Sequence, residues 1–329
     1  MIQEQVLALL KASGTDYLSG QDISRRLGIS RAAVWKAVEA LRQDGYRIDS
    51  LTRRGYRLAG GPDVLRPGEL TGQLKDCLVG RELVCLDETD STNTELKRRA
   101  LAGAAEGLAL IARKQTGGRG RQGRSFLSPE GGLYLSILLR PPLDPTRAVD
   151  LTAWAAVALC DGVEEACGVR PSIKWPNDLL LSGRKLCGIL TEMEVEGESG
   201  QLRWIILGMG TNNRLEADQL PPEVAAAAAS LSGQGLSVRL TDLAACQLRA
   251  LDRMYRDFLA GNRARWLARY RADCATLGRQ AVLLRRGTQE EVFAQEVDDQ
   301  FRLVVRHADG SLEAVSSGEV SVRGLLGYA

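Results

Sequence analysis

Ten residues near the middle of the chain, residues 115–124, contain four glycines and three arginines. Glycine has no Cβ atom, so its backbone amide can come close to a ligand. The guanidinium group of arginine is permanently charged and matches the oxygens of a carboxylate or a phosphate two at a time. This composition predicts a loop that clamps an anion. The simpler alternative, a solvated basic turn, does not require so many glycines.

Two well-known phosphate-binding loops have similar spacings. Gly118, Gly120 and Gly123 fit the dinucleotide fingerprint, and residues 118–125 resemble a P-loop with arginine in place of lysine. Both loops must lead directly into a helix whose N-terminus holds the phosphate. Residues 129–132 instead include a proline and two glycines, which break helices. We therefore exclude both loop types.

Lys185 is the second candidate for chemistry. It follows a tight turn at Ser182 and Gly183 and begins an apolar strand. Its amine is predicted to emerge from a partly apolar sheet face, where a positive charge is costly without an anionic partner. A surface lysine whose amine reaches water is the alternative. Asp178 comes shortly after a proline, and it either caps the turn there or takes part in the chemistry.

Ser91, Thr92 and Asn93 lie where a strand over residues 83–86 leads into a helix. Thr92 and Glu95 have the spacing of a capping box. The hydroxyl and amide groups of this segment therefore either cap the helix or bind a polar ligand.

Composition excludes several kinds of chemistry. His307 is the only histidine of the 329 residues, which argues against histidine-based acid–base catalysis and most transition-metal sites. The seven cysteines are scattered without a Cys-x-x-Cys pair, so they indicate thiols in a reducing compartment, and no metal site is predicted. The chain lacks an apolar run of membrane length and a signal-peptide pattern. We expect a cytoplasmic protein with no membrane association.

The N-terminal segment has the strongest local charge. Residues 1–62 contain ten lysines and arginines against six acids, and their pattern predicts three helices followed by a two-stranded wing. The third helix would place its first turns in a major groove, and the wing tip would reach phosphate or the minor groove. A dimer on a two-part operator is expected, and a helical adaptor that binds protein is the alternative. The predicted DNA contacts are Ser30, Arg31, Ala32, Ala33, Trp35, Lys36, Arg53 and Arg54.

Helix and strand patterns predict an α+β protein of several domains. Residues 1–62 would form a winged helix-turn-helix, and residues 63–276 an α+β domain with a mixed sheet. Residues 277–329 would form a small SH3-like β-barrel.

Four motifs, at residues 118–121, 174–178, 184–190 and 208–212, carry a resemblance. Their sequences are GRGR, KWPND, RKLCGIL and GMGTN, and together with the winged helix they resemble the bifunctional biotin–protein ligases that also repress the biotin operon. The resemblance implies that biotin and ATP, with Mg²⁺, give biotinyl-5′-AMP. Biotin then passes to a lysine of a biotin carboxyl carrier protein. The adenylate would also promote a homodimer that binds operator DNA.

The same resemblance assigns residues to ligands. The residues that would contact biotin are Ser91, Thr92, Asn93, Gln115, Gly118, Arg119, Gly120, Arg121, Lys185, Gly188 and Gly208. Those that would contact the nucleotide are Arg121, Asn177, Lys185 and Asn212. The residues expected to act in catalysis are Lys185, Arg121, Arg119 and Asp178.

The resemblance leaves several points open. The adenine-covering residues are not identified, with residues 221–230 as candidates, and Mg²⁺ would be held mainly by phosphates and water. The C-terminal barrel either helps to bind ATP and the acceptor protein or only stabilises the chain. A non-catalytic biotin-sensing regulator and a lipoate-type ligase are the alternative functions.

Overall fold

The computed structural model describes residues 2–63, 65–197, 199–285, 288–316 and 321–324. The chain divides into two compact units, one up to residue 75 and the other from residue 76 onwards. The three-domain division at residues 62 and 276 stays a prediction.

The first unit contains the three helices and the wing that the sequence predicts. The side chains of Ser19 and Ser30 each accept a hydrogen bond from a backbone N–H group in the first turn of the helix that follows. These caps fix where the two helices begin. The two strands pair antiparallel, and the helices bury a shared core that includes Val6, Ile23 and Val38. The elements are α1 (Ile2–Ala12), α2 (Gly20–Leu27), α3 (Arg31–Gln43), β1 (Arg47–Leu51), β2 (Gly55–Gly60) and α4 (Pro67–Leu70).

The first unit extends past residue 62 because the buried carboxylate of Glu69, on α4, contacts Tyr46 and Lys11. Glu69 is only 5% exposed. The Tyr46 hydroxyl donates a hydrogen bond to its Oε1 atom, and the Lys11 amine lies 2.5 Å from its Oε2 atom. Burial raises the pKa of Tyr46, so the phenol remains a donor. These contacts make α4 part of the first unit.

The second unit contains a seven-stranded sheet in the order β3-β4-β5-β9-β8-β7-β6. Strands β3 and β4 pair parallel and the other neighbours pair antiparallel, which confirms the predicted mixed sheet. Its elements are β3 (Glu82–Thr89), α5 (Thr92–Leu101), β4 (Leu108–Gln115), β5 (Gly132–Leu139), α6 (Pro145–Ala148), α7 (Leu151–Cys167), β6 (Ser172–Lys174), β7 (Asp178–Leu181), β8 (Arg184–Val195), β9 (Leu202–Asn212), α8 (Pro222–Ala227), α9 (Leu240–Leu259) and α10 (Arg263–Asp273).

Helices α7 and α9 pack against this sheet. Helices α7 and α9 pack against each other, and α9 also contacts β5. Within this layer Trp154 stacks on Trp266 with ring centroids 5.2 Å apart. The strands of this sheet therefore have a close-packed core behind them.

The C-terminal strands form an antiparallel sheet in the order β13-β12-β11-β10-β14. The strands are β10 (Arg279–Arg285), β11 (Thr288–Val297), β12 (Leu303–Arg306), β13 (Leu312–Val315) and β14 (Ser321–Gly324). The last strand was predicted over residues 319–322, and residues 319 and 320 lie outside the described part of the chain. The antiparallel arrangement agrees with the prediction for this region, and its closure into an SH3-like barrel stays a prediction.

Candidate active site

The paired strands β8 and β9 form the floor of a pocket in the second unit. Gly188 pairs with Gly210, and Leu190 pairs with Gly208. The pocket encloses about 470 Å³ including its open mouth. Its lining residues are Ser91, Thr92, Asn93, Gln115, Arg119, Gly120, Arg121, Phe126, Asn177, Lys185, Gly188, Ile189, Leu190, Gly208, Met209 and Gly210.

The floor glycines are required because other side chains cross over them. A Cβ atom on Gly208 would lie 2.0 Å from Oδ1 of Asn93, and one on Gly210 would lie 2.4 Å from the ring of Phe126. No real Cβ contact is that short. Glycine at these two positions therefore lets Asn93 and Phe126 lie directly on the sheet.

One wall of the pocket is a set of buried polar side chains at the start of α5. Ser91, Thr92 and Asn93 are each no more than 4% exposed. The N–H and hydroxyl groups of Thr92 donate to Oε1 of Gln115 at 2.8 and 3.0 Å. The Ser136 hydroxyl lies 2.7 Å from Oδ1 of Asn93. These donors and acceptors suit a polar head group, which must replace hydrogen bonds to water when it is buried.

The predicted capping box is wrong in its assignment. Ser91, not Thr92, is the N-cap, because its side chain accepts from the N–H of Thr94. Glu95 is bound to Arg98 and Arg99 and does not reach back to the cap. Thr92 is thus released from capping and faces the pocket.

A second wall is the arginine-glycine loop, which folds back on itself. The N–H of Phe126 donates to the carbonyl of Gly118 at 2.9 Å, and the N–H of Gly120 donates to the carbonyl of Arg124 at 2.7 Å. A Cβ atom on Gly118 would lie 2.2 Å from the carbonyl oxygen of Phe126. Gly118 therefore closes the loop and, unlike the other predicted biotin contacts, does not line the pocket.

Three cations of the pocket each contact another polar side chain. The amine of Lys185 lies 2.8 Å from Oδ1 of Asp178 and 5.5 Å from the ring centroid of Phe126. The Arg121 guanidinium donates to Oδ1 of Asn177 at 3.0 Å. Burial lowers the pKa of Arg121, although an arginine keeps its charge. The anionic partner that the sequence required for Lys185 is therefore present.

Arg119 is the third cation, and its guanidinium lies 3.3 Å from Glu192. With Lys185 and Arg121 it places positive charge along one pocket. Such a set can bind a carboxylate at one position and a phosphate at the next.

Asn212 and Asp178 lie beside the pocket and not in its lining. The amide of Asn212 donates to the carbonyls of Lys185 and Ala229 at 3.2 and 2.9 Å. The N–H of Ala229 also donates to the Lys185 carbonyl, at 2.8 Å. Asn212 thus supports the backbone of Lys185, and its predicted contact with the nucleotide stays a prediction.

Sequence reasoning missed several residues of the site. Residues two apart on a strand share a face, so Gly188 could have pointed to Leu190 and Glu192. Ser136 lies in a strand of otherwise apolar residues, which was a usable signal for a buried polar role. Phe126 follows the loop without any pattern of its own, and only the folded loop shows where its ring lies.

The predicted DNA contacts lie on exposed parts of the first unit. Arg31, Trp35 and Lys36 are exposed at the start of α3, and Trp35 is 55% exposed. Arg53 and Arg54 are exposed at the wing tip. Arg53 has a φ of 67°, a left-handed conformation typical of tight turns.

In the part of the chain that the structure describes, no three histidine, cysteine, aspartate or glutamate side chains form a group that could hold a metal ion. None of the helices described has the length and apolar character needed to cross a bilayer.

Two family models match the chain. Residues 85–212 match the biotin/lipoate A/B protein ligase family. Residues 2–57 match an HTH domain. The first match contains the whole pocket lining, and the second contains α1, α2, α3 and most of the wing.

Curated proteins and a solved structure are similar over much greater lengths. The bifunctional ligase/repressor BirA of Bacillus spizizenii is 38% identical over 260 residues, 78% of this chain and 79% of that protein. BirA of Escherichia coli is 30% identical over 320 residues, 97% of this chain and 96% of that protein. The biotin protein ligase of Aquifex aeolicus in complex with biotin and ATP has a TM-score of 0.62 at 26% identity, over 74% of this chain and 99% of that one. With the pocket and the winged helix, these similarities show that the chain belongs to the family of bifunctional biotin–protein ligases and biotin repressors.

Proposed function

We propose that the chain joins biotin to ATP, giving biotinyl-5′-AMP and pyrophosphate, and then transfers biotin to a lysine of a biotin carboxyl carrier protein. The observation that carries this proposal is the pocket itself. Its polar wall fits the biotin head group, and Lys185, Arg119 and Arg121 line the same cavity. Every member of the predicted biotin set except Gly118 lines it.

The chemistry explains why these charges are needed. A carboxylate does not acylate an amine at neutral pH because oxide is a poor leaving group. In the first step the carboxylate oxygen of biotin attacks the α-phosphorus of ATP, and the bond to pyrophosphate breaks. In the second step the acceptor amine attacks the acyl carbon, and AMP leaves. Negative charge develops on the α-phosphate and then on the acyl oxygen, and fixed cations stabilise both.

Each side chain has a distinct task in this scheme. Ser91, Thr92, Asn93 and Gln115 bind the head group, and Arg119, Gly120 and Gly188 lie along the chain of biotin. Arg121, with Asn177 as its neighbour, holds the phosphate.

Lys185 binds the bridging oxygens between biotin and AMP, and Asp178 holds its amine in place. Mg²⁺ would be held mainly by the phosphates of ATP and by water. The ion would supply charge neutralisation on the phosphates.

The second proposed activity is repression of biotin genes. Exposed residues at the start of α3 and at the wing tip give the first unit a basic surface that fits duplex DNA. Biotinyl-AMP would promote a homodimer, and the dimer would bind paired half-sites of an operator. All seven cysteines are free thiols, which suits a cytoplasmic location.

The experiment for the ligase activity is mass spectrometry of an apo carrier domain incubated with the protein, ATP and either biotin or lipoate. We expect the mass of one biotin to be added and no lipoate. Lys185→Gln should abolish most of this transfer, whereas Lys114→Gln, which removes a lysine paired with Glu88 outside the pocket, should not. Lipoate transfer would favour the lipoate-type ligase, and no transfer at all would favour a non-catalytic regulator.

The experiment for DNA binding measures affinity for operator DNA at several salt concentrations, with biotinyl-AMP present. Arg53→Ala should weaken binding and lower the salt slope by about one. Lys114→Gln should leave the slope unchanged. Equal slopes in the wild type and Arg53→Ala would exclude this contact.

A further inference from the structure

The carboxylate of Glu192 contacts one residue in each of two walls of the pocket, Asn93 and Arg119. It lies on β8, on the same face as Gly188 and Leu190. Its Oε2 atom accepts from the amide of Asn93 at 2.8 Å, and its Oε1 atom lies 3.3 Å from the guanidinium of Arg119. Glu192 does not line the pocket, but both of its partners do.

The contact with Asn93 fixes the direction of that amide. The Nδ2 atom of Asn93 faces Glu192, and its Oδ1 atom faces the hydroxyl of Ser136. A carboxylate can only accept, so it requires the nitrogen side of the amide. Glu192 thereby determines which polar atom Asn93 presents to a ligand.

The contact with Arg119 joins the arginine-glycine loop to the sheet. The loop contains four glycines, so it has little stiffness of its own. The side chain of Arg119 is 54% exposed and that of Glu192 is 30% exposed. The ion pair therefore lies on the solvent side of the pocket and anchors the loop on a strand with a packed core behind it.

We infer that Glu192 is a positioning residue of the biotin site, which holds the loop closed through Arg119 and orients the amide of Asn93. This inference rests on the proposed function. The main effect of Glu192 is to slow the release of bound biotin and biotinyl-AMP.

The test is the dissociation rate of radiolabelled biotin and of biotinyl-AMP from the full chain. Glu192→Gln keeps an oxygen for Asn93 and loses the charge that holds Arg119, so release should become roughly two- to five-fold faster, as for a partly exposed ion pair. Glu192→Ala loses both contacts and should release faster still. Glu194→Gln is the matched control, because Glu194 lies two residues further along the same face and pairs with Arg203 outside the pocket.

A double-mutant cycle separates the ion pair from a general structural effect. Arg119→Gln combined with Glu192→Gln should release biotin no faster than Arg119→Gln alone. High salt should speed release more in the wild type than in Glu192→Gln, because the variant keeps the ionic contacts of Lys185 and Arg121 with the ligand but lacks the pair with Arg119.

Wild-type release rates in Glu192→Gln, or additive effects in the double variant, would overturn the inference. If the wild type forms biotinyl-AMP and these results appear, only the role of Glu192 is wrong. If the wild type forms no adenylate, the proposed function fails as well.

Discussion

The amine of Lys185 on β8 lies 2.8 Å from Oδ1 of Asp178 on the neighbouring strand β7. Their side chains are 25% and 14% exposed, so the pair is largely withdrawn from water. A carboxylate in this position holds the amine in one place and offsets the cost of its partial burial. The pair lies at the edge of the pocket, where the mixed anhydride of biotin and AMP would form.

Asp178→Asn should slow both half-reactions, because the amine of Lys185 loses the carboxylate that lies 2.8 Å away, a charged contact worth about 1.5–3 kcal/mol. Pyrophosphate release without acceptor reports the first step, and transfer from preformed biotinyl-AMP reports the second. We expect both to fall roughly ten- to a hundred-fold. Asp299→Asn is the control, because Asp299 is 88% exposed and pairs with Arg271. A loss confined to transfer would instead mean that Asp178 deprotonates the acceptor lysine.

Gly208→Ala should weaken biotin binding by roughly ten-fold or more. The new Cβ atom would lie 2.0 Å from Oδ1 of Asn93, and overpacking of this kind typically costs about 1–3 kcal/mol. Calorimetric titration with biotin measures the effect. Gly197→Ala is the matched control, because a Cβ atom there meets nothing within 4 Å. Unchanged affinity in Gly208→Ala would show that Asn93 does not bind the head group.

Tyr46→Phe should destabilise the first unit by about 1–3 kcal/mol, because it removes one partner of a buried carboxylate. Glu69 would then keep its contact with Lys11. Native-state hydrogen exchange of the α1 amides measures the free energy of local opening. Tyr17→Phe is the control, since that ring keeps its contact with Arg57 without the hydroxyl. Equal protection in both variants would show that Glu69 does not need the phenol.

His307 should stabilise the C-terminal sheet, and its contribution to the free energy of unfolding should decline as pH rises. The hydrogen bond to Glu290, followed by its charge and the contact with Glu313, raises the pKa of His307 above 6.5. The contribution is therefore complete below about pH 6.5 and is lost as pH rises through the raised pKa. Hydrogen exchange of the β12 amides should show His307→Gln less protected than the wild type at about pH 6 and equal to it at about pH 9. A difference that grows with pH would contradict this assignment.

Much of the architecture was predictable because its signals are local. The caps at Ser19 and Ser30 and the apolar periodicity of the first three helices are sufficient to place them. The mixed sheet followed from short strands joined by tight turns. The extension of the first unit to α4 was not predictable, because it depends on a buried contact between Glu69 and Tyr46, which are far apart in the chain.

The site was predictable where glycine, arginine and lysine form motifs, and less so where the role comes from packing. The loop at residues 115–124 and Lys185 are conspicuous by composition. The position of Phe126 and the contact of Glu192 with Arg119 arise only when the loop folds onto β8 and β9. Gly118 belongs to a clear motif, but in the structure it closes the loop and does not line the pocket.

The side-chain amide of Asn212 connects two segments that are far apart in the sequence. Its amide holds the carbonyl of Lys185 and the carbonyl of Ala229 together, and Ala229 lies within the stretch considered for the adenine. If a nucleotide contacts this stretch, as predicted, it contacts a segment that is hydrogen-bonded to the backbone of Lys185. Biotin and ATP should consequently bind with positive cooperativity, and thermodynamic reciprocity requires each to raise the affinity for the other by the same factor.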